Sequence, residues 1–77
     1  MKVKAFIDGA SRGNPGPAST GVQLLDEAGT VLKEHGRTLG TQTNNVAEYE
    51  ALLDALRLAK DLGASELLVH SDSLLLV

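Results

Sequence analysis

The chain contains no cysteine, so neither disulfides nor a thiolate zinc site can stiffen it, and the staples of small secreted domains are excluded. A reducing, cytoplasmic setting is the expectation. Long apolar runs are missing too. Met1-Lys2-Val3-Lys4 leads into an alternating segment rather than a leader with a small-residue cleavage site, and no apolar stretch is long enough to span a bilayer. The expectation is therefore a chain that is neither secreted nor membrane-spanning. Positive charge is scarce: seven Lys and Arg stand against ten Asp and Glu, for a net charge of −3. That sign disfavours gripping phosphates by bulk electrostatics. Any contact with nucleic acid must run through metal ions and backbone amides, or through basic residues elsewhere in a longer polypeptide.

What is present suffices for one domain at most. A chain of 77 residues covers its apolar surface poorly, yet 43% hydrophobic and 22% charged residues are ordinary for a folded protein. It should fold, alone or with a partner. Val3 to Asp8 alternate in polarity and predict a strand that ends on a carboxylate. Gly9 to Ser19, crowded with Gly13, Pro15, Gly16 and Pro17, predicts a loop. Gly21–Leu25 and Val31–Leu39 predict a hairpin turning through Asp26-Glu27-Ala28-Gly29-Thr30.

The polar segment Gly40 to Asn45 offers several helix-capping side chains. From Val46 the period changes: Tyr49, Leu52, Leu53, Leu56, Ala59 and Leu62 predict an amphipathic helix stopped at Gly63, with Glu50, Asp54, Arg57, Lys60 and Asp61 on its wet side. Glu66 to Asp72 is nearly continuous in apolar character at its centre, as in a strand buried on both faces. The predicted class is α/β, with three antiparallel strands, a helix, and a strand parallel to the first (β-β-β-α-β). A helix of about 17 residues is long enough for that right-handed crossover. No repeat, linker or low-complexity segment divides residues 1–77. The Leu74-Leu75-Leu76-Val77 tail is a poor surface that something should cover.

If the first and last strands are parallel neighbours, Asp8 and Asp72 meet at their carboxyl ends, the edge of an α/β sheet where ligands bind. Glu48, four residues before Leu52, sits at the rim of the apolar stripe near the helix N-terminus and points toward the sheet. Three gathered carboxylates repel one another unless a cation lies between them, and hard oxygen donors select Mg2+ or Mn2+ over zinc. Two such ions about 3.5–4 Å apart can drive phosphodiester hydrolysis.

Three segments, Asp8-Gly9-Ala10-Ser11-Arg12-Gly13-Asn14-Pro15-Gly16, Thr43-Asn44-Asn45-Val46-Ala47-Glu48 and Ser71-Asp72-Ser73, resemble the signatures of type 1 ribonuclease H in identity, order and spacing. The resemblance covers essentially the whole chain. It implies a five-stranded mixed sheet flanked by helices, and cleavage of the RNA strand of an RNA–DNA hybrid. Asp8, Glu48 and Asp72 then resemble the first three metal-ligating acids, with two Mg2+ or Mn2+ ions per complete site. Gly9, Ser11, Arg12, Gly13, Asn14, Thr43, Asn44 and Asn45 resemble the nucleic-acid contacts: Asn14 toward the minor groove where 2′-hydroxyls mark RNA, Thr43 toward a DNA phosphate, Asn44 and Asn45 toward bases and sugars. By the same resemblance the fourth acid, a mobile histidine loop, the fifth strand and later helices lie beyond Val77, and neither His35 nor His70 replaces that histidine.

Each residue has a plainer reading. Asp8-Gly9 alone is an ordinary turn, Glu48 alone a helix-dipole acid, Gly13-Asn14-Pro15-Gly16 alone a tight turn. Arg12 is either a phosphate contact or a solvated loop residue, and His70 a strand histidine. Three functions stay open: a nuclease half-domain completed by further chain or by a homodimer, a non-catalytic RNA- or hybrid-binding module, and a fragment that merely associates.

Overall fold

The computed structural model describes residues 1–71; the expected ligand Asp72 and the apolar tail from Leu74 lie outside the described residues. The elements are β1 (Lys2–Ser11), β2 (Gly16–Leu25), β3 (Val31–Gln42), α1 (Asn44–Asp61) and β4 (Glu66–Ser71). They form one sheet of order β3-β2-β1-β4, in which β2 is antiparallel to both neighbours and β4 runs parallel to β1. This is the expected β-β-β-α-β order with a mixed sheet.

The strands run further than their sequence pattern suggests. Gly9, Ala10 and Ser11 pair with Thr20, Ser19 and Ala18, so the loop expected from Gly9 to Ser19 shrinks to residues 12–15, and Asp8 lies inside β1 rather than at its end. Cross-strand pairing overrides the poor strand propensity of glycine and proline there. The hairpin between β2 and β3 turns as expected: Asp26 Oδ1 accepts from the amides of Ala28 and Thr30, and Gly29 takes φ +88°.

Helix α1 covers one face of the sheet only. It begins at Asn44 rather than Val46, because Thr43 caps it by accepting a hydrogen bond from Val46 N at 3.2 Å. Its buried face is Ala47, Ala51, Asp54, Ala55 and Ala59, of which Ala51 and Ala55 pack with Val3, Ala5, Ile7, Val22 and Leu24 in the core. The expected leucine-rich stripe is thus corrected: Tyr49 and Leu56 are about half exposed, while Leu52, Leu58 and Leu62 flank the core. Small side chains win the centre because they let the helix axis come close to the strands. Gly63, at φ +73°, follows the helix as predicted.

The opposite face of the sheet carries no helix among the described residues. β4 accordingly alternates between exposed and half-buried positions instead of being buried on both faces, and Leu68 is 55% exposed. No helix among the described residues is long and apolar enough to cross a membrane.

Candidate functional site

Asp8 belongs to the open face of the sheet and is exposed. Its cross-strand row is Asp8, Gly21 and Gly36, so no side chain stands beside the carboxylate on β2 or β3. The next row does carry side chains. His70 and Phe6 stack with ring centroids 5.0 Å apart, and Gln23 Nε2 donates to Glu34 Oε1 at 3.1 Å. Together the bare row and the walled row shape a groove of about 900 Å³ that includes Asp8, Phe6, His70 and Ser71.

Glu48 arrives from the other side of the sheet. Gly9 faces α1, and a Cβ there would collide with the carbonyl group of Ala47 and the amide nitrogen of Glu48. Only glycine permits that approach. The helix backbone at Glu48 is thereby set against the residue next to Asp8, at the carboxyl-terminal part of β1. Glu48 is half-buried there, as expected of an acid at the rim of the helix.

The turn after β1 is tied to the start of α1 by a reciprocal pair of bonds. Ser11 N donates to Asn44 Oδ1 at 2.8 Å, and Asn44 N donates to Asn14 Oδ1 at 3.1 Å. Both donors are backbone amides and both acceptors are side-chain oxygens, so the Nδ2 donors of Asn14 and Asn44, two exposed residues, are not used in the pair. Ser11 Oγ donates to Gly13 O, and Arg12 N donates to Pro17 O at 2.8 Å, closing the turn. Of the expected nucleic-acid contacts, Gly9, Ser11, Gly13, Asn14, Thr43 and Asn44 are brought together around this junction. Arg12 and Asn45 are exposed on the same two segments.

Among the described residues no group of three or more His, Cys, Asp or Glu side chains forms a metal-binding cluster. Asp8 and Glu48 are described and supply hard carboxylate oxygens; Asp72, the third expected ligand, is not. The donor chemistry of the two fits a hard divalent cation, and Gly21 and Gly36 keep bulk away from Asp8.

A second polar cluster escaped the sequence pattern. Asp54, expected on the wet side of α1, is buried at 4% exposure. Its carboxylate accepts from Thr20 Oγ1 at 3.0 Å, from Arg37 Nε at 2.9 Å and from Arg57 Nη2 at 3.0 Å. Arg37 also reaches Glu50 Oε2 at 2.5 Å. Burial pushes the Asp54 carboxyl up, but the hydrogen bonds from Arg37 and Thr20 and the nearby guanidinium charges outweigh it, leaving the group below its ordinary value. Its hydrogen bonds to Asp54 and Glu50 raise the already high Arg37 value further. The available signal was spacing: Asp54 falls three residues after Ala51 and seven after Ala47, on the alanine face rather than opposite the leucines.

A family described as reverse transcriptase-like matches residues 6–77. Ribonuclease HI of Halobacterium salinarum is 49% identical over 72 residues, covering 94% of this chain and 36% of that protein. The bifunctional protein Rv2228c of Mycobacterium tuberculosis is 50% identical over 78 residues, covering 100% of this chain and 21% of that protein. Among solved structures, RNase H1 of Halobacterium salinarum superposes with a TM-score of 0.93 at 48% identity, over 97% of this chain and 57% of that one. LC11-RNase H1, solved in complex with an RNA/DNA hybrid, gives a TM-score of 0.91 at 44% identity with the same coverage. The chain thus spans about a fifth to a third of these curated relatives and somewhat over half of the solved domains.

Proposed function

The chain belongs to the type 1 ribonuclease H family, and on that premise we propose that it forms the N-terminal part of a metal-dependent endonuclease that cleaves the RNA strand of RNA–DNA hybrids. In this reading Asp8, Glu48 and Asp72 are the catalytic carboxylates that ligate Mg2+ or Mn2+. Divalent cations held between such carboxylates supply the charge that activates water and stabilises the leaving oxygen in phosphodiester hydrolysis. The protein's own part is to hold the acids at one edge and to orient the hybrid across them.

The observation that carries the reading is the interlock of Ser11, Asn14 and Asn44. It ties the turn after β1 to the start of α1 and leaves the Nδ2 donors of the exposed Asn14 and Asn44 available. Donors of that kind meet acceptors, and a 2′-hydroxyl or a minor-groove base edge supplies them. Gly9, Ser11, Arg12, Gly13, Thr43 and Asn45 complete the hybrid-binding surface. With a net charge of −3, orientation by these neutral groups and by bound cations takes the place of a basic patch.

A complete site requires more than the described strands. It is supplied either by a further stretch of polypeptide or by a second copy of this chain, and we assign a cytoplasmic setting. The deciding experiment is cleavage of an end-labelled RNA–DNA hybrid with Mg2+ or Mn2+, comparing the chain with its Asp8→Asn variant. The expected outcome is metal-dependent cleavage lost in Asp8→Asn while hybrid binding persists. Cleavage that survives the substitution contradicts the mechanism, and hybrid binding without any cleavage by the unaltered chain favours a non-catalytic module instead.

A further inference from the structure

The buried Asp54 cluster takes no part in the proposed chemistry, yet it meets the sheet on the same row as Gly9. Gly9, Thr20 and Arg37 are consecutive partners across β1, β2 and β3. All three face α1, and each holds a different part of it. Gly9 lies against the backbone of Ala47 and Glu48. Thr20 donates to Asp54 at 3.0 Å. Arg37 donates to Asp54 at 2.9 Å and to Glu50 at 2.5 Å. A close backbone approach sets how near the helix lies, but on its own it leaves the helix free to roll about its axis. Alanines at 47, 51, 55 and 59 do little to resist rolling, because small side chains leave shallow ridges. The directed bonds from Thr20 and Arg37, to residues six and two places after Glu48, add a directional restraint to the packing of the flanking Leu52, Leu58 and Leu62.

We propose that Asp54 is a positioning residue for the candidate metal site: by anchoring α1 to Thr20 and Arg37 it fixes the roll of the helix and so the direction in which Glu48 presents its carboxylate toward Asp8. The inference rests on the nuclease reading above, since it gives Glu48 a cation to hold. Asp54 touches no reacting group and acts only through Glu48. A purely structural role for the cluster would lower stability and leave the cation affinity of the folded chain unchanged.

The test is a double-substitution cycle on Mn2+ affinity, measured by electron paramagnetic resonance on the unaltered chain, Asp54→Asn, Glu48→Gln and the combined variant, with far-UV circular dichroism to establish that each is folded. Asn keeps the size of Asp54 and one acceptor while removing the charge. The expected result is a roughly tenfold loss of Mn2+ affinity in Asp54→Asn, of the size seen when a group that orients a ligand is lost, and no further loss when Glu48→Gln is already present. Should Asp54→Asn fail to fold, Thr20→Val takes its place in the cycle, because it deletes one bond to Asp54 and leaves both arginine pairs. Unchanged affinity in the folded variant, or losses that simply add, overturns the positioning role and leaves the nuclease reading intact. No Mn2+ binding by the unaltered chain removes that reading, and the positioning role falls with it.

Discussion

Gly9 decides how near α1 can come to β1, and the consequence is measurable. In Gly9→Ala the new methyl collides with the Ala47 carbonyl group and the Glu48 amide, which are backbone atoms with little room to yield. Overpacking of this kind costs about 1–3 kcal/mol, and urea unfolding should show the midpoint falling with an unchanged slope. Asp54 makes a different prediction, through pH. Its carboxyl is held below the ordinary value of 3.8 by Arg37, Thr20 and Arg57, with Glu50 sharing Arg37. A depressed carboxyl contributes stability that is full above the unfolded value and is lost as pH falls through the folded one. Acid unfolding followed by circular dichroism should therefore steepen below about pH 4, and Asp54→Asn should flatten that limb; an identical limb in the two proteins contradicts the assignment. At this scale the sequence is most informative where residues recur in a motif. The order and spacing of Asp8, Asn14, Asn44 and Glu48 single them out as candidates, and the contacts at Ser11, Asn14, Asn44 and Gly9 link their two segments, whereas Asp54 is not legible, because a single acid on a helix reads as solvated until its partners on two other strands are known.

Among the elements, the kinds and order were legible and the edges were not. The alternation in β1, the Asp26–Thr30 turn and the glycine at 63 each encode a local preference, and each appears where expected. Strand ends at Ser11, Gly16 and Gln42 depend on pairing between segments distant in sequence, which local propensity does not report. The helix face differs from the leucine stripe for a related reason: leucines advertise a stripe, but the residues buried against the sheet are Ala47, Ala51, Asp54, Ala55 and Ala59. The apolar centre of β4 suggests a strand buried on both faces, whereas among the described residues it is an edge strand with Leu68 on the uncovered face. Among the described residues β4 is a parallel edge strand with an exposed leucine, and such an edge invites association, so we predict a concentration-dependent homodimer in sedimentation equilibrium that Leu68→Lys returns to monomer. A single monomeric species across the micromolar range refutes it.

At the scale of the whole molecule, one helix over one face of a four-stranded sheet leaves the other face, with Asp8, Phe6, His70 and Leu68, open among the described residues. Asp8 and Glu48, the described acids proposed to act together, lie about 40 residues apart in sequence, and β1 and α1 meet one residue from Asp8, where Gly9 lies against the backbone of Ala47 and Glu48. The most direct test of that union is a Mn2+ titration of the nitrogen-15-labelled chain, watching which backbone amide signals are broadened first. The account predicts early loss at Asp8, Gly9, Ala47 and Glu48, with the Asp26–Thr30 turn and Glu66 spared. Broadening spread evenly over the acidic side chains, with the turn and Glu66 fading as early as Asp8 and Glu48, would contradict it.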